Sequence, residues 1–248
     1  IVKYLCLSSH FPRYGCSSFV SSFDKYKLKI IEDNAESIGA RYKGKLLGAF
    51  GDVSTYSFFS NKIITTGEGG AVLTNNEETA IKTRELRDHG MSHKKKYHHV
   101  DLGYNYRMTN MQAAIGLAQM EKLDEILALR KKQMDIYYNE LSHIEGISLR
   151  KYEDWCEPVH WMMTITLDQK YNRDNFLSFM QEERIDCRQI INPVQKAEHF
   201  EFIFSNNEFK NAVNVSNQSV HLPSGLSLRP DHIKKIKNLI IRYLKQPF

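Results

Sequence analysis

The sequence predicts an α/β protein built on a mainly parallel sheet, and two observations carry that prediction. Short β-branched runs alternate with amphipathic helical patterns, and 248 residues with 42% hydrophobic side chains suffice for one large domain or two modest ones. Helices then cover both faces of the sheet, and ligands gather at the carboxyl ends of its strands.

The elements follow in order. Residues 27–31 form a short apolar run ending in Glu32 and Asp33, and 53–59 and 70–74 read as further strands bounded by Gly and Asn. Asn76, Glu77 and Glu78 supply a cap and an acidic first turn for a helix that runs through Ile81 and Leu86 until Gly90 stops it. Thr109 with Gln112 is a capping box, and Ala113, Ala114, Leu117 and Leu123 form the apolar face that follows. A long charged helix covers 126–141. Beyond it the texture shifts to a strand at 162–167 and helices at 175–183 and 230–244, so a large domain at 1–128 and a smaller α+β domain at 129–248 are expected.

Composition narrows the function. The chain has no run of eighteen apolar residues and no signal-like amino terminus, so a soluble, cytoplasmic protein is expected. Cys6, Cys16, Cys156 and Cys187 show neither C-x-x-C nor ligand spacing, which predicts reduced thiols, no disulfide framework and no metal site. A net charge of +5 with dispersed lysines does not point to nucleic acid; an anionic small molecule suits it equally.

Lys62 stands between Phe58, Phe59 and the turn Gly67-Glu68-Gly69-Gly70. By itself it could be a nucleophile, a phosphate ligand or a solvated charge. The turn lacks the G-x-x-x-x-G-K-[ST] pattern around it and reads as structural. HKKKYHH at 93–99 reads first as a solvated loop and second as a contact for a sugar nucleotide, with no acidic or Cys partners for a metal. Lys234, Lys235 and Lys237 alternate with Ile233, Ile236 and Ile240 as the wet face of a last helix.

Four stretches carry a resemblance: IEDNAESIGARYKGKLLGAFGD, STYSFFSNKIITTGEGGAVLTNNEE, RDHGM and GYNYRMTNMQAAIGLAQMEKLDE. Their order and spacing resemble the DegT/DnrJ/EryC1/StrS family of sugar-nucleotide aminotransferases, and within it the wording is most similar to the perosamine synthases. The resemblance is dense over 27–141 and thinner beyond, where CRQIINPVQ and LPSGLSL still follow the outline. It implies a fold type I enzyme using pyridoxal 5′-phosphate (PLP), with glutamate as the expected amino donor, a 4-keto-6-deoxy nucleotide sugar as acceptor, and a product entering polysaccharide synthesis.

Lysine suits that chemistry because its amine condenses with the PLP aldehyde as a Schiff base and, once displaced, can shuttle a proton. The resemblance gives that role to Lys62. It places Asp33 under the pyridine nitrogen, which a carboxylate keeps protonated so that the ring accepts electrons. It also places Glu36 near the phenolic oxygen, Ser57 at the phosphate, Asn105 at the phosphate of a neighbouring subunit in a homodimer, and Arg188 on the substrate side. Without it, Asp33 reads as a cap or ion-pair partner, Glu36 as a helix start, Ser57 as a buried strand hydroxyl, and Asn105 as a turn residue beside packing residues Tyr104 and Arg107.

The pattern is broken in LSSHFPRYGCSSF, where Pro12 keeps the place of a family proline. Relatives begin earlier, with a phosphate-cradling Gly-Thr turn and a stacking ring; if the chain is an excerpt, the part upstream of Ile1 is expected to supply both, and if it is complete, a poor affinity for the cofactor is expected. Gln195 stands where relatives often carry His. Two rivals remain: a non-catalytic remnant of the same fold, and a PLP-dependent dehydratase, whose relatives replace the lysine by histidine.

Overall fold

The computed structural model describes residues 4–8, 27–198 and 209–246. Pro12, Cys16 and the rest of the drifted stretch from residue 9 lie outside them. The chain forms two compact units, one of 1–127 with Tyr152–Trp161, the other of 128–151 with 162–248.

The first unit centres on a four-stranded sheet of order β1-β2-β5-β6, from Tyr4–Ser8, Lys29–Asp33, Val53–Ser57 and Gly70–Leu73. β1, β2 and β5 run parallel, while β6 returns antiparallel to β5 with Ser57 opposite Gly70. The connection through 58–69 holds no helix and carries that reversal; a parallel return is usually made by a helical crossover. A second sheet joins β3 (Arg41–Tyr42), β4 (Lys45–Leu46) and β8 (Cys156–Glu157). β8 lies in sequence beyond the expected boundary near residue 128, yet pairs with β3 through Arg41 and Glu157.

Around the sheet, α1 (Glu77–Arg87) begins at Asn76, whose side chain accepts from the Thr79 amide. α2 (Asn110–Met120) begins with the Thr109–Gln112 capping box. Both starts are legible in the sequence because a cap satisfies amide groups that the first helical turn leaves unpaired.

One inward position of β2 carries a charge. Glu32 is only 5% exposed, and its carboxylate accepts the backbone N–H groups of Gly48, Phe50 and Gly51 at 2.7, 2.7 and 2.6 Å. Those three bonds satisfy the buried charge and fasten the 48–51 loop to the strand carrying Asp33. Gly48 is required there: its φ is +91°, and a Cβ would lie 2.0 Å from the Tyr56 hydroxyl.

The second unit is an antiparallel sheet of order β10-β11-β9-β7, formed by Arg188–Gln189, Ser219–Leu222, Met163–Leu167 and Ile147–Leu149. Its core gathers Met134, Tyr137 and Leu141 from α3 (Leu123–Leu141), Phe176 and Met180 from α4 (Arg173–Glu182), and the apolar stripe of the last helix. Between them in sequence lies α5 (Lys210–Gln218). The last helix, α6 (Pro230–Leu244), buries Ile233, Ile236, Leu239, Ile240 and Tyr243. Lys234 and Lys235 face solvent, and half-buried Lys237 pairs with Glu140 of α3 at 2.7 Å.

Among the described residues, Cys187 is a free thiol. Burial, with a smaller contribution from Asp186, pushes the Cys187 thiol up to about 12. Its thiolate fraction at pH 8 is then on the order of 10⁻⁴. Iodoacetamide in the native protein is expected to alkylate Cys187 only after denaturation, and peptide mass spectrometry reads this directly; rapid native labelling contradicts the described burial.

Candidate active site

The site is built on the carboxyl ends of β2 and β5. Asp33 ends β2 and pairs with Thr55 of β5, so Ser57 lies two residues further along the neighbouring strand. The Asp33 carboxylate accepts the Ala35 amide at 3.1 Å, which turns the chain sharply beyond the strand. Asn34 is buried and continues the sheet by donating its amide to Thr55 O at 2.8 Å, while its side chain accepts from the Ser37 hydroxyl at 3.0 Å. That turn delivers Glu36.

Lys62 comes from the loop after β5. Its Nζ lies 3.0 Å from Glu36 Oε1, with both side chains 12% exposed. On another side the Nζ sits 4.1 Å from the centroid of the Trp161 ring. The Trp161 indole N–H donates to Asn61 O at 2.7 Å, so the ring is anchored to the residue preceding the lysine. A nearly enclosed ammonium meeting a carboxylate and an aromatic face is a solvent-poor, electrostatically matched cage, unlike an exposed loop lysine.

The lysine loop is fixed from α2. Gln119 accepts the Thr65 amide at 3.1 Å and donates to Thr65 O at 2.6 Å, and Gln112 donates to Glu68 O at 3.0 Å. Gly116 lies between them in sequence, and a Cβ there would lie 2.8 Å from the Thr66 methyl. Ile63 and Ile64 are buried beside the lysine. Ser57 Oγ accepts the Phe59 amide at 3.3 Å, which leaves its hydroxyl proton able to donate to an anion.

The other two expected residues belong to other elements. Asn105 is exposed in the loop ahead of α2, its backbone bridging Asp88, between Tyr104 and Tyr106 whose rings stack at 5.0 Å. Arg188 belongs to the second unit, exposed on β10 and paired with Asp186 at 2.8 Å. Gln195 lies in a short 3₁₀ turn, Val194–Lys196, of the same unit.

Sequence reasoning missed Glu32, Gln119 and Trp161. Glu32 reads in sequence only as part of a strand-end acidic pair, although a charge at an inward strand position is itself a signal. For Trp161 no local pattern exists: its partner Asn61 is 100 residues away. Among the described residues, no group of three or more His, Cys, Asp or Glu is placed to hold a metal ion, and no helix is long and apolar enough to cross a membrane.

Known proteins resemble this chain in sequence and fold. The chain is 37% identical over 224 residues, 89% of its length, to GDP-perosamine synthase of Vibrio cholerae, of which it covers 60%. It is 33% identical over 237 residues, 92% of its length, to the putative pyridoxal phosphate-dependent aminotransferase EpsN of Bacillus subtilis, covering 61% of that protein. DesV of S. venezuelae, solved in complex with a ketimine intermediate, superposes with a TM-score of 0.88 at 26% identity, over 99% of this chain and 66% of DesV. The chain thus spans about six-tenths of the length of these curated relatives. With residues 18–240 matching the family as a whole, and a caged lysine at the carboxyl ends of a parallel sheet, the chain belongs to the DegT/DnrJ/EryC1/StrS aminotransferase family.

Proposed function

We propose that the protein is a cytoplasmic, homodimeric PLP-dependent aminotransferase that moves an amino group from an amino acid, glutamate being the expected donor, to a 4-keto-6-deoxy sugar carried on a nucleoside diphosphate. A GDP-linked sugar is favoured by the similarity to GDP-perosamine synthase. The first unit would be the cofactor-binding domain and the second the small domain. The observation that carries the proposal is the Lys62–Glu36 pair, 12% exposed, beyond the paired strand ends bearing Asp33 and Ser57.

The donor set fits PLP: an amine, a carboxylate, a hydroxyl and a second acidic group supply one partner for each functional atom of the cofactor. When bound, PLP supplies an aldehyde that carries the amino group and a ring that withdraws electrons. Lys62 would bind that aldehyde and, when released, move a proton to and from the reacting carbon. Asp33 would hold a proton on the ring nitrogen. Glu36 would orient the phenolic oxygen, and the Ser57 hydroxyl would bind the phosphate. Arg188 would meet the substrate, and Asn105 would reach the phosphate from a second copy.

Two further observations support the setting. α2 exposes Met111, Ile115, Leu117 and Met120, and β6 exposes Val72 and Leu73, apolar surface of the kind that a second copy covers. Cys187 is a free thiol, which suits a reducing compartment.

Incubation with PLP, glutamate and a GDP-linked 4-keto-6-deoxy sugar is expected to yield an amino sugar, identified by mass spectrometry. A deoxygenated sugar would instead establish the dehydratase reading. A folded protein that takes up no PLP would establish the remnant.

A further inference from the structure

We infer that Trp161 is a positioning residue for the Lys62 amine: its ring, fixed to the lysine's own loop, holds the Nζ against Glu36 whenever that amine is free. The inference rests on the reading of Lys62 as the cofactor's anchor and adds a residue from outside the motifs that carry that reading.

Four side-chain torsions place the Lys62 amine, and a free lysine side chain populates many rotamers. Two groups restrict it here. Glu36 Oε1 attracts the Nζ at 3.0 Å, and the Trp161 ring centroid lies 4.1 Å from the same atom, within the range where an aromatic face stabilises an ammonium. The ring is itself restrained, because its indole N–H donates to Asn61 O at 2.7 Å, one residue before the lysine. A change in the loop therefore carries ring and amine together. Trp161 ends the segment Tyr152–Trp161 that belongs to the first unit, and this segment is tied down by the β8–β3 pairing and by Trp155, whose ring meets Tyr42 edge-on at 5.1 Å.

The arrangement suits a group that must alternate between two states. When joined to the cofactor, the lysine nitrogen would be held covalently. Once displaced by substrate it must stay close enough to move protons, and a side chain returned to solvent would lose that proximity. The aromatic face and the Glu36 carboxylate give the released amine one resting place. An aromatic face is suited to this because it attracts the ammonium without accepting its proton.

The test compares wild type with Trp161→Leu, which removes the aromatic face, and Trp161→Phe, which keeps a face but loses the bond to Asn61. Without cofactor, each protein is treated with limiting acetic anhydride, and acetylation of Lys62 is read by peptide mass spectrometry against exposed Lys94, Lys95 and Lys96 as internal standards. In wild type, Lys62 should react at about a tenth of the rate of these lysines or less; in W161L it should approach them, and in W161F it should stay within about twofold of wild type. Equal Lys62 reactivity in all three proteins would overturn the inference. Equal increases in both variants would also overturn it, because the indole hydrogen bond alone would then be responsible.

In a second arm, PLP is added and the bound adduct fixed with borohydride. The Lys62 peptide is expected to gain the cofactor's mass in wild type and W161F, and a smaller fraction to do so in W161L at equal PLP. No mass gain in wild type removes the cofactor reading, and with it the positioning role, whereas a gain of equal extent in all three removes only the role of Trp161.

Discussion

Lys62→Ala is expected to lower amino-sugar formation by about 10⁴-fold or more, since one side chain supplies both the covalent anchor and the proton shuttle. Few substitutions reach that size, because most binding contacts act on ground state and transition state alike. The loss should fall on kcat, and the protein should remain folded: the lysine lies in the loop beyond β5 and the change removes a single ion pair. Borohydride fixation with PLP gives an independent reading, with label on the wild-type Lys62 peptide and none at that peptide in the variant. Activity within tenfold of wild type would move the chemistry to another residue and defeat the proposed function.

Glu32→Ala is expected to cost about 3–5 kcal/mol of stability, since it strips three part-buried backbone N–H groups of their buried, charged acceptor at once. The 48–51 loop then loses its clasp on β2, and the ring pair of Tyr42 with Phe50, 6.0 Å apart, loses its support. Denaturant unfolding followed by tryptophan fluorescence reads the change, because Trp155 packs against Tyr42. Glu32→Gln should lose about half as much, keeping one carbonyl acceptor while turning an amide N–H₂ toward N–H donors. PLP affinity is expected to fall in parallel, as Asp33 is the next residue on the same strand. An unfolding midpoint unchanged in Glu32→Ala would show that the three bonds are replaced by water without cost.

These two residues mark what can be read without the fold. The role expected of Lys62 comes only from the family resemblance, but its position is legible because its surroundings are local: an aromatic run, a glycine turn and a strand ending five residues earlier. The same holds for the caps at Asn76 and Thr109 and the stripe of α6, whose partners lie within one helical turn or repeat at helical spacing. The antiparallel return of β6 is not legible, since alternation of side chains is the same in either strand direction.

The sequence by itself determined the strands around 29–33, 53–57, 70–73 and 163–167, the caps that start α1 and α2, and which lysine and aspartate stand at strand ends, but not the strands β1, β3, β4, β7, β8, β10 and β11 or helix α5. Only the tertiary structure decided that Glu32 clasps a loop 16 to 19 residues away, that Gln119 grips Thr65 across 54 residues, and that Trp161 returns across 100 to face the lysine amine. The physical reason is range. Propensity, capping and periodicity act within a turn or a strand, whereas the partner of a buried charge or donor is fixed by whichever distant groups the packed chain leaves in reach.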